Sequence, residues 1–195
     1  MRKNFLFSFL CVLSLLFLFL QFDCSSNKMT KEDQIARGKY LVTIGGCNDC
    51  HSPKIMTPMG PVPDSTRLLS GHPAEQPLAA IDPKTVAPGN WVLTDDGTTT
   101  WVGPWGISYT ANLTPDSSTG LGLWTSDIFI KAMRTGKHMG TGRMLLPPMP
   151  WQSIGQLSDN DLRAIFAYLQ TLKPINNRVP APVPPNMLSE KLMNN

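Results

Sequence analysis

The chain has 195 residues, four cysteines and a formal charge of +3. That charge is too small to imply a nucleic-acid partner, and the length leaves room for one domain behind a leader rather than for several.

Arg2 and Lys3 precede an almost unbroken apolar run from Phe5 to Phe22, the layout of a secretory signal. No A-x-A-like site closes the run. Cys24 follows it directly, trailed by Ser25, Ser26 and Asn27, as in a bacterial lipoprotein. This predicts lipidation at Cys24, with residues 1–23 as the signal, 24–29 as a tether, and the protein held at the membrane on the periplasmic side. Gln21-Phe22-Asp23 is a poor version of the small-residue box that such a site wants, so two other endings stay open. About eighteen apolar residues approach the length of a membrane span, which would give an uncleaved anchor. A released soluble protein is the third ending. Loss of Arg2, Lys3 and Asp23 takes the charge from +3 to +2.

Thr30-Lys31-Glu32-Asp33 reads as a helix N-cap followed three residues later by an acid. Ile35, Leu41, Val42 and Ile44 give the helix an apolar side, and Gly45-Gly46 ends it. Gly38 lies inside, where it costs about 1 kcal/mol relative to Ala, so a second helix is expected to cross closely there.

Cys47-Asn48-Asp49-Cys50-His51 follows at once. C-x-x-C-H is the attachment pattern of c-type haem. Two thiols three positions apart on one turn reach the two vinyl groups on one edge of a porphyrin, and the adjacent imidazole of His51 is then placed to bind the iron. A zinc site would want four ligands, but Cys11 and Cys24 belong to the leader region and His72 and His138 are isolated. A thioredoxin-like pair is expected near a βαβ pattern, which is absent from the surrounding sequence. Export agrees with the haem reading, since such attachment takes place on the oxidising side of the membrane. The single motif predicts one covalently bound haem c.

Residues 52–110 form a long insert rich in Pro and Gly. One hairpin is expected in it, Trp91 to Thr94 against Thr98 to Val102, turned at Asp95-Asp96-Gly97. Trp91, Trp101 and Trp105 suggest that the insert packs down over an edge of the haem; filling a core is an equally good use of them. Beyond it, Trp124 to Gly136 reads as a helix capped by Thr125 or Ser126, with Ile128, Phe129, Ala132 and Met133 inward and Gly136 as terminator.

Met is the usual distal ligand in cytochromes c. Met56, Met59, Met133, Met139, Met144, Met149, Met187 and Met193 are candidates. Met149 stands apart, because Leu145-Leu146-Pro147-Pro148-Met149-Pro150-Trp151 is an extended, semi-rigid segment able to hold a sulfur at a fixed distance from a metal. Met144 and then His138 are the reserves. Ser158 to Asp161 starts the last helix, whose stripe runs through Leu162, Ile165, Phe166, Leu169 and Leu172 until Pro174 stops it. From 175 to 195 the chain is a Pro-rich tail, either strapped across the domain or disordered, and mobile after Asn186.

Several segments together resemble bacterial class I-like cytochromes c, especially the cytochrome domains that serve membrane-bound dehydrogenases. They are Ala36-Arg37-Gly38-Lys39-Tyr40-Leu41 leading into Cys47 to His51, Ala111-Asn112-Leu113-Thr114-Pro115-Asp116, Gly120 to Thr125, Arg134-Thr135-Gly136, and Pro147 to Trp151 with Leu157 to Leu162. The resemblance implies an all-α cytochrome c-like domain over 30–174 and His/Met coordination by His51 and Met149. It also implies one-electron transfer, without enzymatic activity of the chain's own, between redox partners such as a dehydrogenase, a terminal oxidase or another cytochrome. Related subunits carry several haem domains in tandem; this chain has one C-x-x-C-H. The competing readings are a haem enzyme or gas-ligand sensor with an open or labile sixth site, for which His138 is the distal polar group at hand, and a subunit whose haem is purely structural.

Overall fold

A computed structural model describes residues 29–193 of the chain. The expected leader, Cys24 and the tether up to residue 28 lie outside the described residues. From Lys31 onward the described residues pack as one unit.

Helix α1, Lys31–Ile44, starts directly after Thr30. The amide of Gly45 returns to the Leu41 carbonyl (2.9 Å) and that of Gly46 to Thr43 (3.2 Å). Gly46 takes φ +62°, a left-handed conformation, and so turns the chain straight into the five-residue helix α2, Cys47–His51. Helix α3 is Ser126–Thr135, capped by the Thr125 hydroxyl, which accepts from the Ile128 amide, and closed by left-handed Gly136. A short α4, Trp151–Ile154, precedes α5, Asp159–Leu169. The expected cap of α5 is present: the Ser158 hydroxyl accepts from the Asp161 amide at 3.1 Å.

Helices α1 and α5 cross where Gly38 meets Ala164 and Tyr168. Around that crossing Val42, Leu121, Phe129, Ile130, Met133, Leu162, Ile165, Phe166 and Leu169 form the main core, with the Phe129 and Phe166 ring centroids 5.7 Å apart. Leu172, expected on the helical stripe, lies just beyond the helix yet still packs on this core. Ile44, expected on the apolar side of α1, is exposed. At 100° per residue it is rotated by about 200° from Val42, which takes it away from α5.

The all-α expectation is corrected by the insert, which makes the fold mixed. Strands β1, Lys54–Thr57, and β2, Gly60–Pro63, form one antiparallel hairpin. Strands β3, Leu93–Thr94, β4, Thr100–Gly103, and β5, Gly106–Tyr109, form a second sheet in the order β3-β4-β5. The expected hairpin is there, in shortened form, with Leu93 opposite Val102 and Thr94 opposite Trp101. Trp91 is 69% exposed and does not pack down; Trp101 and Trp105 are half-buried.

A second core lies under this sheet: Val86, Val102, Ile107, Leu188 and Leu192. The last two belong to helix α6, Leu188–Met193. The tail therefore straps back, with Leu188 and Leu192 buried in this core, where the sequence leads to an expectation of mobility after Asn186. Val183 exchanges two backbone hydrogen bonds with Ile107 (2.8 and 3.0 Å), extending the sheet past β5. The Asn177 side chain donates to the carbonyls of Ser70 (2.7 Å) and His72 (2.8 Å) and accepts from the Ala74 amide (3.0 Å), fastening the tail to the insert.

Candidate functional site

One turn of helix sets Cys47 and Cys50 on the same side and presents His51 next to them. Both cysteines are free and half-buried. Burial pushes both thiols above their ordinary value, with Lys54 partly offsetting the effect at Cys50. His51 is buried, and its Nδ1 lies 2.8 Å from the Ala111 carbonyl oxygen. An oxygen of that kind only accepts, so Nδ1 carries the proton and the lone pair stands on Nε2, the form in which an imidazole binds a metal. Burial lowers the His51 value, against the pull of that hydrogen bond, and so keeps the ring neutral. These residues fit a porphyrin iron held from one side: two thiols, and an oriented imidazole with a free nitrogen.

The turn carrying them is held from several directions. Lys54 Nζ donates to the carbonyls of Asn48 (3.2 Å), Asp49 (2.9 Å) and Ser52 (2.6 Å) at the end of α2, and to Gly97 of the β3–β4 turn (3.2 Å). A cation at a helix C-terminus meets carbonyls that have no partner within the helix. Thr98 donates from its hydroxyl to the Asp49 carbonyl. The Ser52 hydroxyl donates to Asn48 and accepts from the Leu69 amide, both at 2.8 Å. Gly71 donates to the His51 carbonyl, also at 2.8 Å. The insert is thus the frame of the C-x-x-C-H turn.

Ala111 owes its position to its neighbours. Asn112 accepts from the Thr114 amide (3.0 Å) and hydroxyl (2.7 Å) and donates to the Ile175 carbonyl (2.8 Å), fixing the loop whose first carbonyl meets His51. The sequence singles out this segment only as part of a resemblance. A backbone acceptor has no side-chain signature, so its role in orienting His51 was not legible.

Met149 is half-buried and packs against the main core, as does Cys47. Its loop is tied at both ends. Upstream, the Leu145 amide donates to the Gly136 carbonyl at 2.7 Å. Downstream, Arg134 donates to the carbonyls of Gly155 and Leu157 and pairs with Asp159 at 2.6 Å. Gly136 has room for no side chain, because a Cβ there would strike the Trp151 ring. The Arg134-Thr135-Gly136 segment thus works as a mount for the methionine loop. Of the other candidates, Met133 is buried in the core, while Met56, Met59, Met139, Met144 and Met187 are exposed; the Met193 side chain lies outside the described residues. His138 is exposed and meets the Trp124 ring edge-on, centroids 5.2 Å apart.

Among the described residues no group of three or more His, Cys, Asp and Glu side chains is assembled as a metal cage. No helix among them is long and apolar enough to cross a membrane.

No family model matches the chain. Curated proteins do. The chain is 38% identical over 164 residues, 84% of its length, to the alcohol dehydrogenase (quinone) cytochrome c subunit of Gluconobacter oxydans. It is 36% identical over 79% of its length to the fructose dehydrogenase cytochrome subunit of Gluconobacter japonicus, and 29% over 80% to the gluconate 2-dehydrogenase cytochrome c subunit of Pantoea cypripedii. The matches cover 27%, 24% and 27% of those proteins, so the chain spans about a quarter of the length of these relatives.

Proposed function

The chain is a relative of dehydrogenase cytochrome c subunits, and from that premise we propose that it is an electron carrier, not itself an enzyme, with one haem c bound through Cys47 and Cys50 and ligated by His51 and Met149. The observation that carries this reading is the contact of His51 Nδ1 with the Ala111 carbonyl at 2.8 Å, which reserves Nε2 for a metal beside two free thiols. The haem supplies a ferric/ferrous couple, and the chain's residues do the rest. His51 stays neutral through burial and keeps one ring orientation. Met149 offers a soft thioether that favours the ferrous state and raises the potential. The rigid mounts on both ligands limit reorganisation as the charge changes.

The domain carrying this chemistry is 30–174, with the insert at about 52–110 as its frame and 175–195 as its Pro-rich tail. The electron donor or acceptor is a dehydrogenase, with a terminal oxidase or another cytochrome as the second partner; no nucleic acid is involved. Residues 1–23 export the chain, and Cys24 tethers it by lipidation to a membrane on the periplasmic side. Weak, transient docking suits such a carrier, and the tether raises the partner's effective concentration.

The reading is tested by optical spectra of the haem-loaded protein in both oxidation states, with carbon monoxide added to the ferrous form, for the native chain and Met149→Ala. The expected native protein shows the Met-to-iron charge-transfer band and ignores carbon monoxide, while the variant loses the band and binds the gas. Ready binding by the native protein would sink the carrier reading in favour of a catalytic or gas-sensing haem.

A further inference from the structure

Building on the reading of Met149 as an iron ligand, we propose that Ser108 of β5 is a positioning residue for it, locking the Met149 loop through the Pro147 carbonyl. The Ser108 hydroxyl donates to that carbonyl at 2.7 Å, two residues before the sulfur. The hydroxyl itself accepts from the Trp105 indole N–H at 3.3 Å. One of its lone pairs is engaged by the indole, and its single proton is directed at Pro147.

The loop needs such a partner because Pro147, Pro148 and Pro150 have no N–H to give. Within it, the Met149 amide reaches Leu146 at 3.2 Å and the Trp151 amide reaches Met149 at 2.9 Å. The mounts at Gly136 and Arg134 hold the ends; Ser108 holds the stretch that carries the sulfur.

Strand β5 is rigid enough to serve as the support. One edge pairs with β4, where Trp101 faces Ser108. The other edge pairs at Ile107 with Val183, so closely that a Cβ on neighbouring Gly106 would strike the Val183 carbonyl. Side chains alternate along a strand. Ile107 points into the second core, fully buried, and Ser108 therefore points from the opposite face toward the methionine loop. The residue itself is buried, so its hydrogen bond faces little competition from water. Serine also suits the position chemically, since one small group must accept from an indole and donate to a carbonyl at once.

Loosening this contact frees the sulfur without removing it. The ferrous state then loses part of its preference, and an external ligand competes better for the sixth position. The test compares the haem-loaded native protein with Ser108→Ala, Ser108→Val, Ser108→Thr and Met149→Ala, reading the Met-to-iron band, the reduction potential and the affinity of the ferric form for imidazole. Ser108→Val and Ser108→Ala are expected to bind imidazole roughly three- to tenfold more tightly, the range set by one ordinary hydrogen bond, and to have a lowered potential. Ser108→Thr, which keeps the hydroxyl, should match the native protein in both. Where Ser108→Ala fails to accumulate, the Val and Thr pair decides, since the two differ in the hydroxyl and hardly in shape.

Equal imidazole affinities and potentials for Thr, Val and native protein, with Met149→Ala losing the band, overturn the role of Ser108 and leave Met149 standing. A native protein whose band and imidazole affinity are the same as those of Met149→Ala removes the methionine ligand, and the proposal goes with it.

Discussion

Gly38 of α1 rests directly on the Ala164 carbonyl of α5: a Cβ at Gly38 would strike that oxygen and come within 2.8 Å of the Tyr168 Cβ. Only a glycine lets the two backbones approach this closely, and the crossing sets the distance at which both helices bury Val42, Ile165 and Leu169. Gly38→Ala should therefore destabilise the protein although alanine is the better helix former. Overpacking of this kind costs about 1–3 kcal/mol against a gain in propensity of about 1 kcal/mol. Urea unfolding of the haem-loaded protein checks the sign, and a stabilised variant would contradict the crossing.

The strap makes a second prediction. Leu192 is 3% exposed in the core beneath β4 and β5. Leu192→Ala should cost about 2–5 kcal/mol, the range for truncating a buried leucine. Hydrogen exchange locates the effect: the Ile107 amide, bonded to Val183, should lose protection well before the amides of α5.

Acid should weaken the α1–α5 pair through Asp161. Its carboxylate accepts from Arg37 at 2.8 Å and from the Ser158 hydroxyl at 3.0 Å, and these bonds, Arg37 foremost, hold it below the usual Asp range. A depressed folded value means that the unfolded chain takes up the proton first. The contribution is present above about pH 4 and fades as pH falls through the folded value. Asp161→Asn should flatten this part of the pH dependence of the melting temperature; an unchanged slope would remove Asp161 as its source. Because Arg37 is exposed and Asp161 only half-buried, solvent screens the pair and the effect is modest.

Lys54 gives a fourth. Its ammonium gathers carbonyls of Asn48, Asp49, Ser52 and Gly97, and burial lowers its pKa. Lys54→Met keeps the stem and removes the donors. It should cost about 1–3 kcal/mol, as for hydrogen bonds to a charged group, and raise exchange at the amides of α2. No change at α2 would mean that the ammonium is not what holds that turn.

Features written in local residue chemistry were legible from the sequence. Ser158 announces its cap, Thr125-Ser126 a helix start that the structure caps with Thr125, Gly38 a close crossing, Asp95-Asp96-Gly97 a turn, and Pro147-Pro148-Met149-Pro150 a stiff loop beside the core. The motif segments also pointed to the dehydrogenase cytochrome subunits found among the relatives. What escaped depends on partners far along the chain. Strands β1 and β2 contain Pro61 and Pro63 and expose Ile55, Met56 and Val62, so they lack the alternation that marks a strand. Strand β5 is four residues long and opens on Gly106, and its edge is completed by Val183, over seventy positions later. The burial of Leu188 and Leu192 follows from that same return, which no local pattern encodes.

The return of the tail also orders events in time. A chain is made from its N-terminus, so the Cys47–His51 turn emerges long before Val183 and Leu192 can close the sheet behind it. Until Val183, Leu188 and Leu192 arrive, β5 has an open edge and the second core lacks two of its leucines. The turn with its two thiols is thus made before the sheet edge and the second core are filled by the tail.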